Sequence, residues 1–226
     1  MDEHWQVIEP ANYLIHGIWS QSYEWVDGSR SWIYPALVSL PMRLAEWLGI
    51  ALPSSIVAFV RALHGAFSAL AIPLMYFSVL KISPEKEKYA LGAAWFVALW
   101  PFSLYCATHT HAEMIGAVFV FAAVVAPVFL KKRAGLLSGF LFGVAATLKV
   151  DVAVAGIAYG CWVLIQRRWR ESLDLICGVL PAVLVLGLVD KITWGNWFHS
   201  VFMHGKINLV DGIGNQWGIS PWYTHV

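Results

Sequence analysis

Residues able to do chemistry are few in this chain, and they recur in small groups: Asp2 and Glu3; Glu9; Glu24 and Asp27; His109, His111 and Glu113; Lys149 and Asp151. Each group has a plain reading beside a chemical one. Glu24 and Asp27 read equally as loop charges in water. His109 and His111 can hold a metal in principle, but they read more simply as polar helix ends, and no metal or cofactor is expected. Lys149 and Asp151 read as a local ion pair that holds a turn. Arg61 and His64 lie about one helical turn apart on a single face. Near the end of a membrane span, Arg61 can meet a phosphate or can snorkel to the headgroups.

The elements that must position these groups are set by composition. Of 226 residues, 59% are hydrophobic and 13% charged, whereas soluble domains carry about 25% charge. So little charge cannot cover a surface facing water, so most of this surface faces lipid or other helices. The net charge of +1 indicates no partner. No basic patch with interleaved aromatics is present, so nucleic acid is not an expected partner. Cys106, Cys161 and Cys177 lie in apolar runs without CxxC spacing and read as small hydrophobes. The polar start MDEHWQ does not have the pattern of a cleavable leader. The fold class expected is all-α, a polytopic transmembrane helical protein formed as one membrane domain over 1–226.

A crossing helix needs about 20 apolar residues. Ser55–Leu80, Tyr89–Cys106, Glu113–Leu130 and Leu173–Val189 qualify as spans. Gly135–Ile165 is too long for one crossing and is broken by Lys149 and Asp151, so it is expected to be a hairpin of two short helices. Three short loops carry nine of the fifteen Lys and Arg residues: Lys81, Lys86 and Lys88; Lys131, Lys132 and Arg133; Arg167, Arg168 and Arg170. Positively charged loops stay in the cytoplasm, so these three fix the orientation. Residues 1–33 then form an extracytoplasmic loop, 34–49 a helix in the interface anchored by Trp32 and Trp47, 55–194 the spans, and 195–226 an extracytoplasmic segment. All the acid and His groups above then share the far side of the bilayer. Charge at membrane depth is costly and commonly marks a site.

Both ends of the chain carry a resemblance. MDEHWQ, EPANYLIHG, YEW at Tyr23–Trp25 and RSWIYP at Arg30–Pro35, with GNW, KIN and GISPWY near the end, resemble the first lumenal loop and the later PW-x-Y segment of the mannosyltransferases of N-glycan precursor and glycosylphosphatidylinositol-anchor assembly. These are similar to GT-C-type enzymes that use a polyprenyl (dolichyl) phosphate sugar as donor. The resemblance implies a GT-C-like fold and transfer of a sugar, mannose by that analogy, to a glycolipid or glycan hydroxyl with inversion. It implies Asp2 as the catalytic acid of the first loop, taking the hydroxyl proton, with Glu3 beside it. Substrate binding is expected from Arg30 or Arg61, whose guanidinium can pair with the lipid phosphate, from Glu24 and Trp25, and from Trp222 and Tyr223 stacked on a sugar face. The host is the endoplasmic reticulum membrane if the source is eukaryotic and the plasma membrane if bacterial. Relatives place a span before the acidic motif and continue beyond PW-x-Y, and they carry Arg-x-Thr where this chain has Lys149-Val150-Asp151. The chain therefore reads as part of a longer enzyme. Two other classes stay open: a transporter or channel subunit, because charged residues interrupt the helices, and an inactive truncated paralogue.

Overall fold

A computed structural model describes residues 3–130 and 132–212. Among the described residues all regular elements are helical. A π-helical turn, His4–Ile8, leads into α1 (Glu9–His16), followed by the single turn α2 (Tyr23–Val26) and by α3 (Ile33–Trp47). The expected first loop is therefore built largely of short helices. The expected interfacial helix is α3.

The expected span Ser55–Leu80 is two helices, α4 (Pro53–Ser68) and α5 (Ala71–Ile82), joined by a turn. Pro73 has no N–H to offer the Ala69 carbonyl, which weakens the ladder there. The two together still form a 30-residue apolar stretch long enough to cross a membrane. Tyr89–Cys106, by contrast, divides into α6 (Glu87–Leu99) and α7 (Pro101–Ala107). Trp100 precedes Pro101 and is driven to an extended ψ of 116°, since the proline ring clashes with a helical residue before it. Neither piece is among the helices long and apolar enough to cross. This corrects the expectation of one continuous span.

Three further long elements follow: α8 (Ala112–Phe129), the pair α9 (Ala134–Leu148) and α10 (Ala153–Ile165), and α11 (Trp169–Trp194). The two helices of that pair meet at a 3-10 turn over Val150–Val152, and Phe142 packs on Tyr159 at 5.2 Å, so the chain doubles back as its length requires. A short α12 (His199–Gly205) ends in a π-helical turn, Lys206–Val210.

Helix α9 packs between α8 and α11. Its Gly135, Gly139 and Gly143 lie four residues apart on the face toward α11. A Cβ at Gly139 would stand 2.1 Å from the Leu175 carbonyl oxygen, and one at Gly178 would stand 2.2 Å from that of Leu136. Between membrane helices, which gain no hydrophobic energy from each other in lipid, such small residues allow close backbone packing. Ser138, fully buried, donates to the Ala123 carbonyl of α8 at 2.7 Å. Around this frame the large apolar side chains point outward: Phe96, Ile165, Leu184 and Ile192 are all exposed. An outward apolar coat is what lipid solvates. The protein is an integral, multi-helix membrane protein.

Candidate active site

Glu3 lies at a junction of three chain segments. Its Oε1 accepts from Arg61 Nε at 3.1 Å and from both the backbone N–H and the hydroxyl of Thr110 at 2.8 Å. Its Oε2 accepts from an Arg61 guanidinium N–H at 2.6 Å. Arg61 projects from α4 and Thr110 sits in the turn between α7 and α8, so the pairing spans 58 and 107 residues. Thr110 and Glu3 are both buried, while the Arg61 side chain is 43% exposed. The network continues through Tyr34, whose hydroxyl donates to the Thr110 carbonyl at 3.1 Å and meets His64 Nε2 at 2.5 Å. A phenol has one proton to share between the Thr110 carbonyl and His64 Nε2, so the direction of the His64 bond follows the imidazole tautomer.

Burial alone would push the Glu3 carboxyl up. The Arg61 guanidinium and the Thr110 donors outweigh it and hold the carboxyl down at about 2. The sign follows from linkage. A carboxyl depressed in the fold stabilises it fully above the ordinary value of 4.5, and the gain is lost as pH falls from there through about 2. Glu3→Gln puts an amide N–H among donors. It should cost about 2 kcal/mol at neutral pH, a figure kept low because water screens half of Arg61. Thermal unfolding of the detergent-solubilised protein checks both points: the parent should lose stability between pH 4.5 and 2, and the variant should lose less over that window.

A second group holds the early segment against the bundle. Arg30 pairs with Glu24 at 2.6 Å, and the Arg30 carbonyl accepts from Trp194 Nε1 at 3.1 Å at the end of α11. Gly28, at φ +69°, turns the chain so tightly that a Cβ there would meet His199 Nε2 at 2.6 Å; only glycine fits both the dihedral and the gap. Trp25 is 1% exposed, with Trp32 at 4.6 Å and Trp19 at 5.9 Å, so its contribution is the shape of the wall rather than a free face.

The third group corrects the local reading of the hairpin turn. Lys149 Nζ binds Glu113 at the start of α8 at 2.5 Å, and Asp151 is the more distant partner at 4.0 Å. Asp151 instead takes His204 of α12 at 2.9 Å. His109 and His111 stack on each other with ring centres 5.7 Å apart.

One cavity gathers Gln6, Arg30, Tyr34, Glu113, Lys149 and His204, with an interior of about 50 Å³. Arg30 Nε, Ser31 Oγ and Trp25 Nε1, all on residues of its wall, are buried without a hydrogen-bond partner among the described residues. Arg61 lines a different and wider cavity of about 820 Å³ with His4 and Glu46. The His4–Ile8 turn separates the two, presenting Gln6 and Val7 to one and His4 and Ile8 to the other. Arg30 and Arg61, which sequence reasoning offered for one phosphate, thus belong to separate cavities. Asp2, Trp222 and Tyr223 lie outside the described residues. Thr110, Tyr34 and His204 were missed. A hydroxyl inside a three-residue turn between apolar runs is the only local signal for Thr110.

A family model described as the Alg9-like mannosyltransferase family matches residues 1–226. The chain is 25% identical to mannosyltransferase APTG1 of Arabidopsis thaliana over 99% of its own length and 42% of that protein. It is 28% identical to GPI mannosyltransferase 3 of Drosophila melanogaster, covering 99% and 39%, and 24% identical to GPI alpha-1,2-mannosyltransferase 3 of Homo sapiens, covering 99% and 41%. The chain therefore spans about two fifths of the length of these relatives. No solved structure gives a significant match.

Proposed function

The chain belongs to the Alg9-like mannosyltransferase family, and from that premise we propose that it moves mannose from a polyprenyl-phosphate donor to a hydroxyl of a glycosylphosphatidylinositol precursor. The acceptor oxygen attacks the anomeric carbon from the face opposite the leaving group. The bond from that carbon to the phosphate oxygen breaks, the polyprenyl phosphate departs, and the hydroxyl proton passes to Asp2. One displacement inverts the anomeric centre.

The observation that carries this reading is the state of Glu3. Arg61 and Thr110 place four hydrogen bonds on its two oxygens, and its carboxyl is held at about 2. Such a carboxylate is a poor base, because proton uptake would neutralise the charge that Arg61 pairs with and weaken the four hydrogen bonds it accepts. It is a good anchor. With Glu3 engaged in this way, Asp2 is the acid assigned to accept the proton. Arg61 is then the positioning residue of that anchor. Arg30, whose Nε on the wall of the smaller cavity has no partner among the described residues, is the group assigned to the donor phosphate, while Glu24 orients it. Trp222 and Tyr223 complete the site by stacking on the sugar. The glycolipid acceptor is supported by the similarity to GPI mannosyltransferase 3 of Drosophila melanogaster and GPI alpha-1,2-mannosyltransferase 3 of Homo sapiens.

Charged groups stand at helix ends and turns: Glu3 before the first turn, Glu113 in the first turn of α8, Lys149 at the close of α9. A rim of this kind favours an enzyme over a transporter, whose binding groups interrupt helices near the midplane. The test compares donors. Reconstituted protein should transfer labelled mannose from polyprenyl-phosphate mannose to a GPI precursor and should leave a nucleotide-linked mannose untouched. Transfer from the nucleotide sugar alone would overturn the donor assignment.

A further inference from the structure

A second polar cavity lies at the opposite ends of α9 and α11, far along the chain from Glu3, and it takes no part in the reaction above. We propose that it binds the headgroup of an anionic phospholipid that also bears hydroxyl groups, the chemistry of inositol phospholipids. The cavity, about 1120 Å³, is walled by two loops that are distant in sequence, the α8–α9 loop with Lys132 and Arg133 and the α10–α11 loop with Arg167 and Arg168, and by Arg170 in the first turn of α11. All five cations are exposed, and among the described residues Arg168 is the one of them with an ion-pair partner, Glu171.

Orientation alone asks only that these loops be basic. It does not ask that they converge on one cavity. They converge because Gly135 lets the start of α9 abut the start of α11: a Cβ there would stand 2.8 Å from Asp174 Cβ and 3.0 Å from the Glu171 carbonyl oxygen. The first turns of both helices border the same space through Ala134, Gly135, Trp169 and Arg170, and their unpaired N–H groups favour an anion. Pro127 and Leu130 give one edge of the cavity an apolar wall where an acyl chain can lie, and the exposed Trp169 beside it suits the headgroup level.

One atom narrows the class of ligand. Glu171 Oε1 is buried and has no hydrogen-bond partner among the described residues, while its sister oxygen holds Arg168. Carboxylate acceptors among these cations, Glu171 Oε1 and Asp174 on the same wall, are poorly suited to a bare phosphate monoester, which brings only acceptors. They suit a phosphate whose sugar-like ring brings hydroxyl donors. The five cations take the phosphate, and Glu171 takes a ring hydroxyl.

The experiment places the intact protein in nanodiscs of phosphatidylcholine alone, or with phosphatidylinositol or phosphatidic acid added, and measures lipid retained by native mass spectrometry. Phosphatidylinositol should be retained over both others. Arg133→Gln/Arg167→Gln/Arg170→Gln should abolish the preference for anionic lipid; with about fivefold per cation at a membrane surface, the loss is on the order of 100-fold. Glu171→Met should keep anionic binding and erase the preference for phosphatidylinositol over phosphatidic acid. An unchanged melting temperature in phosphatidylcholine discs shows that the triple variant is folded. Equal retention of phosphatidylinositol and phosphatidylcholine overturns the site. Equal retention of phosphatidylinositol and phosphatidic acid by the parent overturns the hydroxyl-bearing class.

Discussion

Asp2→Asn in the intact enzyme should lower mannosyl transfer about 10²–10⁴-fold, the contribution of one positioned base. The substitution keeps size and polarity and removes only the basic carboxylate. Glu3 cannot take over, because four donors already hold its oxygens and keep its carboxyl at about 2. Donor binding should survive, since the phosphate is assigned to Arg30 on the wall of the cavity. The loss should therefore fall on kcat, with KM for the polyprenyl-phosphate sugar little changed, and the acidic limb of the pH profile should disappear. Glu3→Gln should behave differently. It should lower the melting temperature together with activity, because it loosens the anchor rather than removing the base. If the Asn variant transfers mannose at the parent rate, Asp2 is not the base, and Glu24 or Glu113 becomes the candidate to test.

The largest structural effect is expected at Gly139. A Cβ there would stand 2.1 Å from the Leu175 carbonyl oxygen and 3.0 Å from its Cα. Both are backbone atoms of a long helix, so the neighbour cannot turn a side chain aside. Gly139→Leu must push α9 and α11 apart, and the neighbouring contact of Gly178 with the Leu136 carbonyl would part with them. Forced overpacking of this kind costs about 3 kcal/mol or more. The variant should lose its monodisperse peak on size exclusion or melt well below the parent. Gly160→Ala is the matched control: that glycine is also helical, but a Cβ there has nothing within 4 Å, and the helix gains from alanine. Equal melting of Gly139→Leu and the parent would show that α9 and α11 are not packed backbone to backbone. Because Lys149 closes α9 and binds Glu113 on α8, a milder Gly139→Ala should also weaken transfer through the cavity wall.

The sequence by itself determined the solvent of this protein and the course of its helices. With so few charges, the surface has to face lipid. Length decided that Gly135–Ile165 turns back on itself, and the turn falls at Val150–Val152 beside the two charges that interrupt it. Even the break in Tyr89–Cys106 stands in the sequence, because Trp100 precedes a proline and is forced out of the helical region. The family resemblance, carried by short motifs at both ends, was readable in the same way. The tertiary structure decided which polar groups meet. Lys149 has an opposite charge two residues away, yet it turns to Glu113, 36 residues distant. Arg61 reads locally as a phosphate ligand or a snorkelling end, yet its fork is occupied by Glu3. Thr110 carries no charge, yet it fixes that carboxylate. Helices form from contacts three and four residues apart, so local sequence is enough to place them. An ion pair inside a bundle depends on how the helices are packed. Here that packing is set by glycines on α9 and α11 that carry no chemistry of their own.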